Sequence, residues 1–140
     1  MKAFFPSAIY RFGILGLLIA GCSESPQDMP EIAPVTGIVL LDGKPLPSAT
    51  VVFQPTEGRA SNGQTDAEGR YELRFNQDTM GAKLGPHQVF ITTYREFDHQ
   101  TDPNQKASLE LLPAKYHSKS ELTTTVKAGD NQIPFDLESK

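Results

Sequence analysis

The chain has one cysteine, no tryptophan and three histidines in 140 residues. Cys22 has no partner within the chain, so no intramolecular disulfide can form, and a core of Val, Ile, Leu, Phe and Tyr must hold whatever folds. His87, His99 and His117 are spaced by twelve and eighteen residues. No HxH or HxxxH pair and no second thiol completes a zinc set. No serine sits in a GxSxG elbow, and the adjacent His117-Ser118 is not the spatial arrangement a triad requires. Positive charge is also scarce. The chain carries 13 Lys and Arg against 17 Asp and Glu; the first 21 residues hold Lys2 and Arg11 and no acid, so the other 119 carry 11 − 17 = −6. A surface of that sign does not attract phosphate backbones, which disfavours nucleic acid as a partner.

What is present begins with an export segment. Lys2 and Arg11 precede an apolar run from Phe12 to Ala20, followed by small residues before Cys22. A membrane-spanning anchor would need about 20 apolar residues, and the only window that long places Arg11 near its middle, at a cost of roughly 2.5–3.5 kcal/mol. Leu18-Ile19-Ala20-Gly21-Cys22 resembles the lipobox of bacterial lipoproteins at every position. The resemblance implies cleavage between Gly21 and Cys22 and a diacylglycerol on the Cys22 sulfur, with residues 1–21 as signal peptide. After Cys22 comes SESPQDMPEIAP, twelve residues with three prolines and three acids. Residues 22–34 therefore read as a flexible tether between lipid and folded body. Ser23 is not the Asp that favours retention at the inner membrane in this family, so the resemblance points to a cell-envelope protein anchored in the outer membrane.

The folded body is predicted over 35–138. Val35 to Leu41 and Ala49 to Gln54 are rich in β-branched residues, and Gly43, Pro45 and Pro47 between them mark a reversal. Both faces of the first strand read as apolar and buried, with Gly37 marking a bulge or a close approach. Asp66-Ala67-Glu68-Gly69 reads as an Asx turn leading into Arg70 to Phe75, where Tyr71, Leu73 and Phe75 share a face. A calcium reading of Asp66 and Glu68 lacks the remaining oxygen ligands. Met80 and Leu84 are expected as cover at the core edge, and His87 to Tyr94 as a central strand. Residues 95–108 have no periodicity, and a loop that long tends to be functional or mobile. A short helical turn is predicted to stop before Pro113, with Tyr116 as a core plug. Finally Glu121 to Lys127 and 131–137 read as a hairpin around Ala128-Gly129-Asp130-Asn131, with Ile133, Phe135 and Leu137 inward and Pro134 marking an edge.

Six to seven short strands with Gly, Pro and Asp turns fit an all-β, two-sheet sandwich. GIVLLDGKPLPSATVVFQP, TDAEGRYEL and GPHQVFI resemble the carboxypeptidase regulatory-like domain, and LPAKYHSKSELTTTVKAGDNQIPFDL resembles the end of small lipoproteins built from one such domain. That family implies a seven-stranded antiparallel Greek-key β-sandwich of the transthyretin (prealbumin) type. The fold also includes a hydroxyisourate hydrolase with a C-terminal Tyr-Arg-Gly-Ser; this chain ends Leu137-Glu138-Ser139-Lys140. The zinc of the carboxypeptidases lies in a separate domain. The resemblance therefore implies no enzyme, no metal and no cofactor beyond the lipid. Two functions stay open: a non-catalytic interaction or structural module meeting an envelope protein, or a carbohydrate- or small-ligand-binding lipoprotein. The second would use Tyr94 and Phe97 as stacking surfaces with Asp98 and His99 in the 95–108 loop. Asp98, His99 and Asp102 could also hold a metal, although a solvated loop explains them equally well.

Overall fold

The computed structural model describes residues 29–95, 104 and 108–140. Gly21, Cys22, Phe97, Asp98, His99 and Asp102, and with them the signal, the lipidation site and most of the candidate loop, lie outside the described residues.

Among the described residues are eleven short strands and one 3-10 turn: β1 (Ile32–Ala33), β2 (Val35–Leu41), β3 (Lys44–Pro45), β4 (Thr50–Pro55), β5 (Ser61–Gln64), β6 (Arg70–Glu72), β7 (Ala82–Lys83), β8 (Gly85–Thr92), the turn Ala114–Tyr116, β9 (Thr123–Val126), β10 (Asn131–Gln132) and β11 (Phe135–Leu137). One sheet is antiparallel in the order β5-β4-β8-β9. Period-two alternation turns Val51 and Phe53 of β4, Val89 and Ile91 of β8 and Val126 of β9 inward, and all are buried.

The second sheet is built around β2. The odd residues of β2 face β6 and β3, since Val35 and Val39 accept from Leu73 and Leu46; its even residues face β10, where Thr36 accepts from Ile133. β10 and β11 run parallel to β2 in one continuous register, Gln132 opposite Thr36 and Phe135 opposite Val39. They are thus one strand interrupted at Ile133-Pro134, where proline has no N–H for the ladder. The expected 121–127/131–137 hairpin does not form, and the all-antiparallel expectation is corrected to a mixed sheet. The cause is local. The Asn131 carboxamide accepts from the Lys127 amide (3.0 Å) and donates to the carbonyls of Lys127 (2.8 Å), Gly129 (3.1 Å) and Pro34 (3.2 Å). Those bonds, with Gly129 at φ 89°, close the turn on itself and hand the chain across to β2.

Three further differences matter. The ordered body starts before Val35, because Ile32 and Ala33 pair with Lys83 and Ala82, and Ala33 is buried. Only one face of β2 is buried, through Val35 and Val39, while Ile38 is 42% exposed. The helical turn follows Pro113 instead of preceding it, since Pro113 (φ −59°) leads into Ala114–Tyr116 and residues 109–112 are held by bonds to β8. Tyr116 is buried, and the strand that Ile133-Pro134 interrupts lies at a sheet edge, as expected.

Between the sheets Phe53, Tyr71 and Phe135 form an aromatic centre, with centroids 6.4 Å (Phe53–Tyr71) and 6.1 Å (Phe53–Phe135, near edge-on at 81°) apart. Burying each ring contributes about 1.5–3 kcal/mol, with the contact geometry adding to it. Tyr71 crosses Gly37, its cross-strand partner, and donates its hydroxyl to the Ile133 carbonyl at 2.5 Å. Burial pushes the Tyr71 phenol well above its ordinary range. A Cβ on Gly37 would lie 2.1 Å from the Ile133 oxygen, so the predicted close approach is real. The two sheets join at one bridge, Asn62–Arg74, between β5 and the residues just after β6. The chain enters beside Lys83 and Leu84, whose amide donates to Glu31, at the start of β8. The 95–108 loop leaves from the far end of that strand, roughly 25 Å away at about 3.3 Å per residue.

Candidate binding site

Two regions are candidates, the neck of the 95–108 loop and a groove on the outer face of the sheets. The neck is closed by the Arg95–Ser108 bridge and by Glu110. The Glu110 side chain turns toward β8 and accepts from the Thr92 hydroxyl, from the Thr93 amide (3.1 Å) and hydroxyl (2.9 Å), and from the Leu112 amide (3.0 Å). Burial alone would raise this carboxyl, but those hydrogen bonds outweigh it and hold Glu110 at about 2. His117 Nε2 donates to the Leu112 carbonyl (3.0 Å) and lies 4.0 Å from Glu110. Because Glu110 points inward, its neighbours Leu109 and Leu111 point out and are exposed, as is Tyr94 at 52%.

Of the predicted loop residues only Tyr94 is among the described ones. Tyr94 is exposed beside the neck, and its proposed companions Phe97, Asp98 and His99 lie outside the described residues. His87 lies elsewhere than the neck. It faces the core against Phe53 (5.7 Å), with Nε2 donating to the Lys83 carbonyl at 2.7 Å. Asp66 forms the expected Asx turn, its Oδ1 accepting from the amides of Glu68 (3.0 Å) and Arg70 (2.9 Å). Among the described residues no three His, Cys, Asp or Glu side chains converge as a metal would need.

The groove has no counterpart in the sequence expectations. It is open, encloses about 1230 Å³, and runs over the seam where β5 and β6 diverge from their single bridge. Alternation along β6 turns Tyr71 and Leu73 inward and Arg70, Glu72 and Arg74 outward. Asn62 and Gln64 of β5 face them, and Thr36 and Ile38 of β2 continue the surface. The alternation RYELRF announces that outward row. Its meeting with β5 depends on tertiary pairing that no local pattern shows.

No protein-family model matches the chain, and no curated protein matches it. Among solved structures it is similar to a DUF3823 family protein from Parabacteroides merdae, with a TM-score of 0.42 and 11% identity, over 78% of this chain and 47% of that one, so this chain spans about half of its length. It is also similar to the dioxygenase domain of a dioxygenase carbohydrate-binding protein fusion from Streptomyces sp. SirexAA-E, with a TM-score of 0.37 and 16% identity, over 80% and 83% of the two chains. Likenesses of this depth assign neither a family nor a ligand.

Proposed function

We propose that this chain is a non-catalytic binding module, fixed to the cell envelope by lipid on Cys22 and related to the carboxypeptidase regulatory-like β-sandwiches. The observation that carries the reading is how its polar groups are used. Glu110, Asp66, His87 and His117 are each taken up in holding a loop or strand, whereas Arg70, Glu72, Asn62 and Gln132 on the wall of the open groove have no such duty. A reaction needs a converging acid, base or nucleophile, and recognition needs a concave polar surface on a rigid support. The anchor rests on Leu18 to Cys22 alone. With an anchor there, the body would attach by the β1 end and present the opposite end of β8, with the 95–108 loop, away from the bilayer; outer-membrane placement follows from Ser23. Substitution Cys22→Ser is expected to abolish metabolic labelling with palmitate and to release the protein from the membrane fraction. Equal incorporation by the variant would remove the anchor from this reading.

A second reading, ligand binding by the 95–108 loop itself, is favoured by the exposure of Tyr94. Loss of ligand on Tyr94→Ala with the groove variants unaffected would select it.

A further inference from the structure

We infer that the groove over β5, β6 and β2 is the ligand site of this domain and that its ligand is a neutral, hydroxyl-rich glycan. The inference rests on the binding-module reading and gives it a place and a substrate class. Among the described residues the side chains of Arg70, Glu72, Asn62 and Gln132 make no hydrogen bond or ion pair within the protein. Their backbone positions are set by paired strands, so no loop has to be ordered when a ligand arrives, which removes that part of the entropic cost of binding. Arg70 and Arg74 are balanced by Glu72 and Asp66, so the groove has no anion preference. A guanidinium and carboxamides supply fixed planar donors, and the carboxylate accepts from hydroxyls. Vicinal sugar hydroxyls, each both donor and acceptor, match that mixture. Ile38 and Met80, 42% and 38% exposed, offer apolar contact to the C–H face of a pyranose.

An extended peptide fits less well. The backbone of β2 is bonded on one side to β6 and β3 and on the other to β10 and β11, and the edges of β5 and β6 close on each other, a Cβ on Gly63 falling 2.4 Å from the Glu72 carbonyl oxygen, so little ladder edge is open to augment. The floor is also braced, since Tyr71 spans Gly37 to reach Ile133. Because the only ring in the groove, Tyr71, is buried, stacking contributes little and affinity rests on hydrogen bonds, giving dissociation constants on the order of a millimolar.

The test is titration of the ¹⁵N-labelled full chain, in detergent micelles, with soluble cello-, malto- and chito-oligosaccharides. The expected result is amide shifts at Thr36, Ile38, Gln64 and Arg70 with at least one series. Arg70→Ala and Glu72→Gln should each weaken that binding about tenfold, with spectra elsewhere unchanged as proof of an intact fold. Shifts confined to Tyr94 and residues 108–111, or affinity undiminished in both variants, would overturn the groove and leave the module reading standing. No response to any of the three series, or capture of an unstructured peptide pool without any oligosaccharide, would overturn the ligand class. The module reading itself falls on a different result, turnover of a substrate by the purified chain.

Discussion

Replacing Glu110 by Ala tests the view that one carboxylate fastens the neck of the 95–108 loop. The side chain is 23% exposed and receives four hydrogen bonds, from two hydroxyls and two amides. A folded-state value of about 2 against an ordinary 4.5 corresponds to roughly 3 kcal/mol as an upper bound. Water reaching the exposed part of the carboxylate screens that figure, so about 1–2 kcal/mol is the expected loss at neutral pH. In urea this is a midpoint shift of about half to one molar. The sign with pH follows from linkage. The folded carboxyl is the stronger acid, so its contribution is complete above about pH 4.5 and fades as pH falls toward 2. Wild type should therefore lose more stability than Glu110→Ala between about pH 5 and pH 2.5, and the two curves should converge in acid. Urea melts at the two ends of that range decide the matter. Equal stability at neutral pH, or parallel decline in acid, would refute the clamp.

Two other substitutions probe the fold beneath the groove. Gly37→Ala puts a methyl 2.1 Å from the Ile133 oxygen and 2.6 Å from the Tyr71 ring, and should cost about 2–4 kcal/mol in chemical denaturation. Gly43→Ala, at φ 81° with nothing within 4 Å of the new methyl, should cost only about 1 kcal/mol; equal losses at the two sites would deny the close approach. Thr65 is buried, with its hydroxyl donating to the Leu46 carbonyl (2.7 Å) and accepting from the Ala49 amide (2.8 Å). Thr65→Val strands both groups, so a loss of about 2–4 kcal/mol is expected by the same assay, and a neutral result would mean that water replaces the hydroxyl.

The elements were largely legible in the sequence and their partners were not. Alternation along 50–55 and 85–92 marks inward rows because burial on one face imposes a period of two. The Asp66 turn was readable because Asx chemistry is local. By contrast, Ala128 to Asn131 looks like any hairpin turn, and only the bonds from the Asn131 carboxamide to Lys127 and Pro34 explain the crossing to the other sheet. Ile32-Ala33 reads as part of a proline-rich tether because its stabilising partner, Ala82-Lys83, is about fifty residues away in sequence. The groove and the Glu110 clamp were hidden for the same reason. Each joins residues from separate strands: alternation marks Arg70 as outward but not what it faces, and Glu110 carries no mark in its own neighbourhood.

The central strand of the second sheet is flanked by residues 131–137, five of which pair with it. Such a sheet cannot be completed while its polypeptide is still emerging, because β2 waits for a neighbour almost a hundred positions later. If the proposed export holds, that delay would keep the body open until passage is over. The same dependence makes the C-terminal edge a weak point: proteolytic trimming inside Phe135–Leu137 would expose β2 and the Phe53–Phe135 contact together.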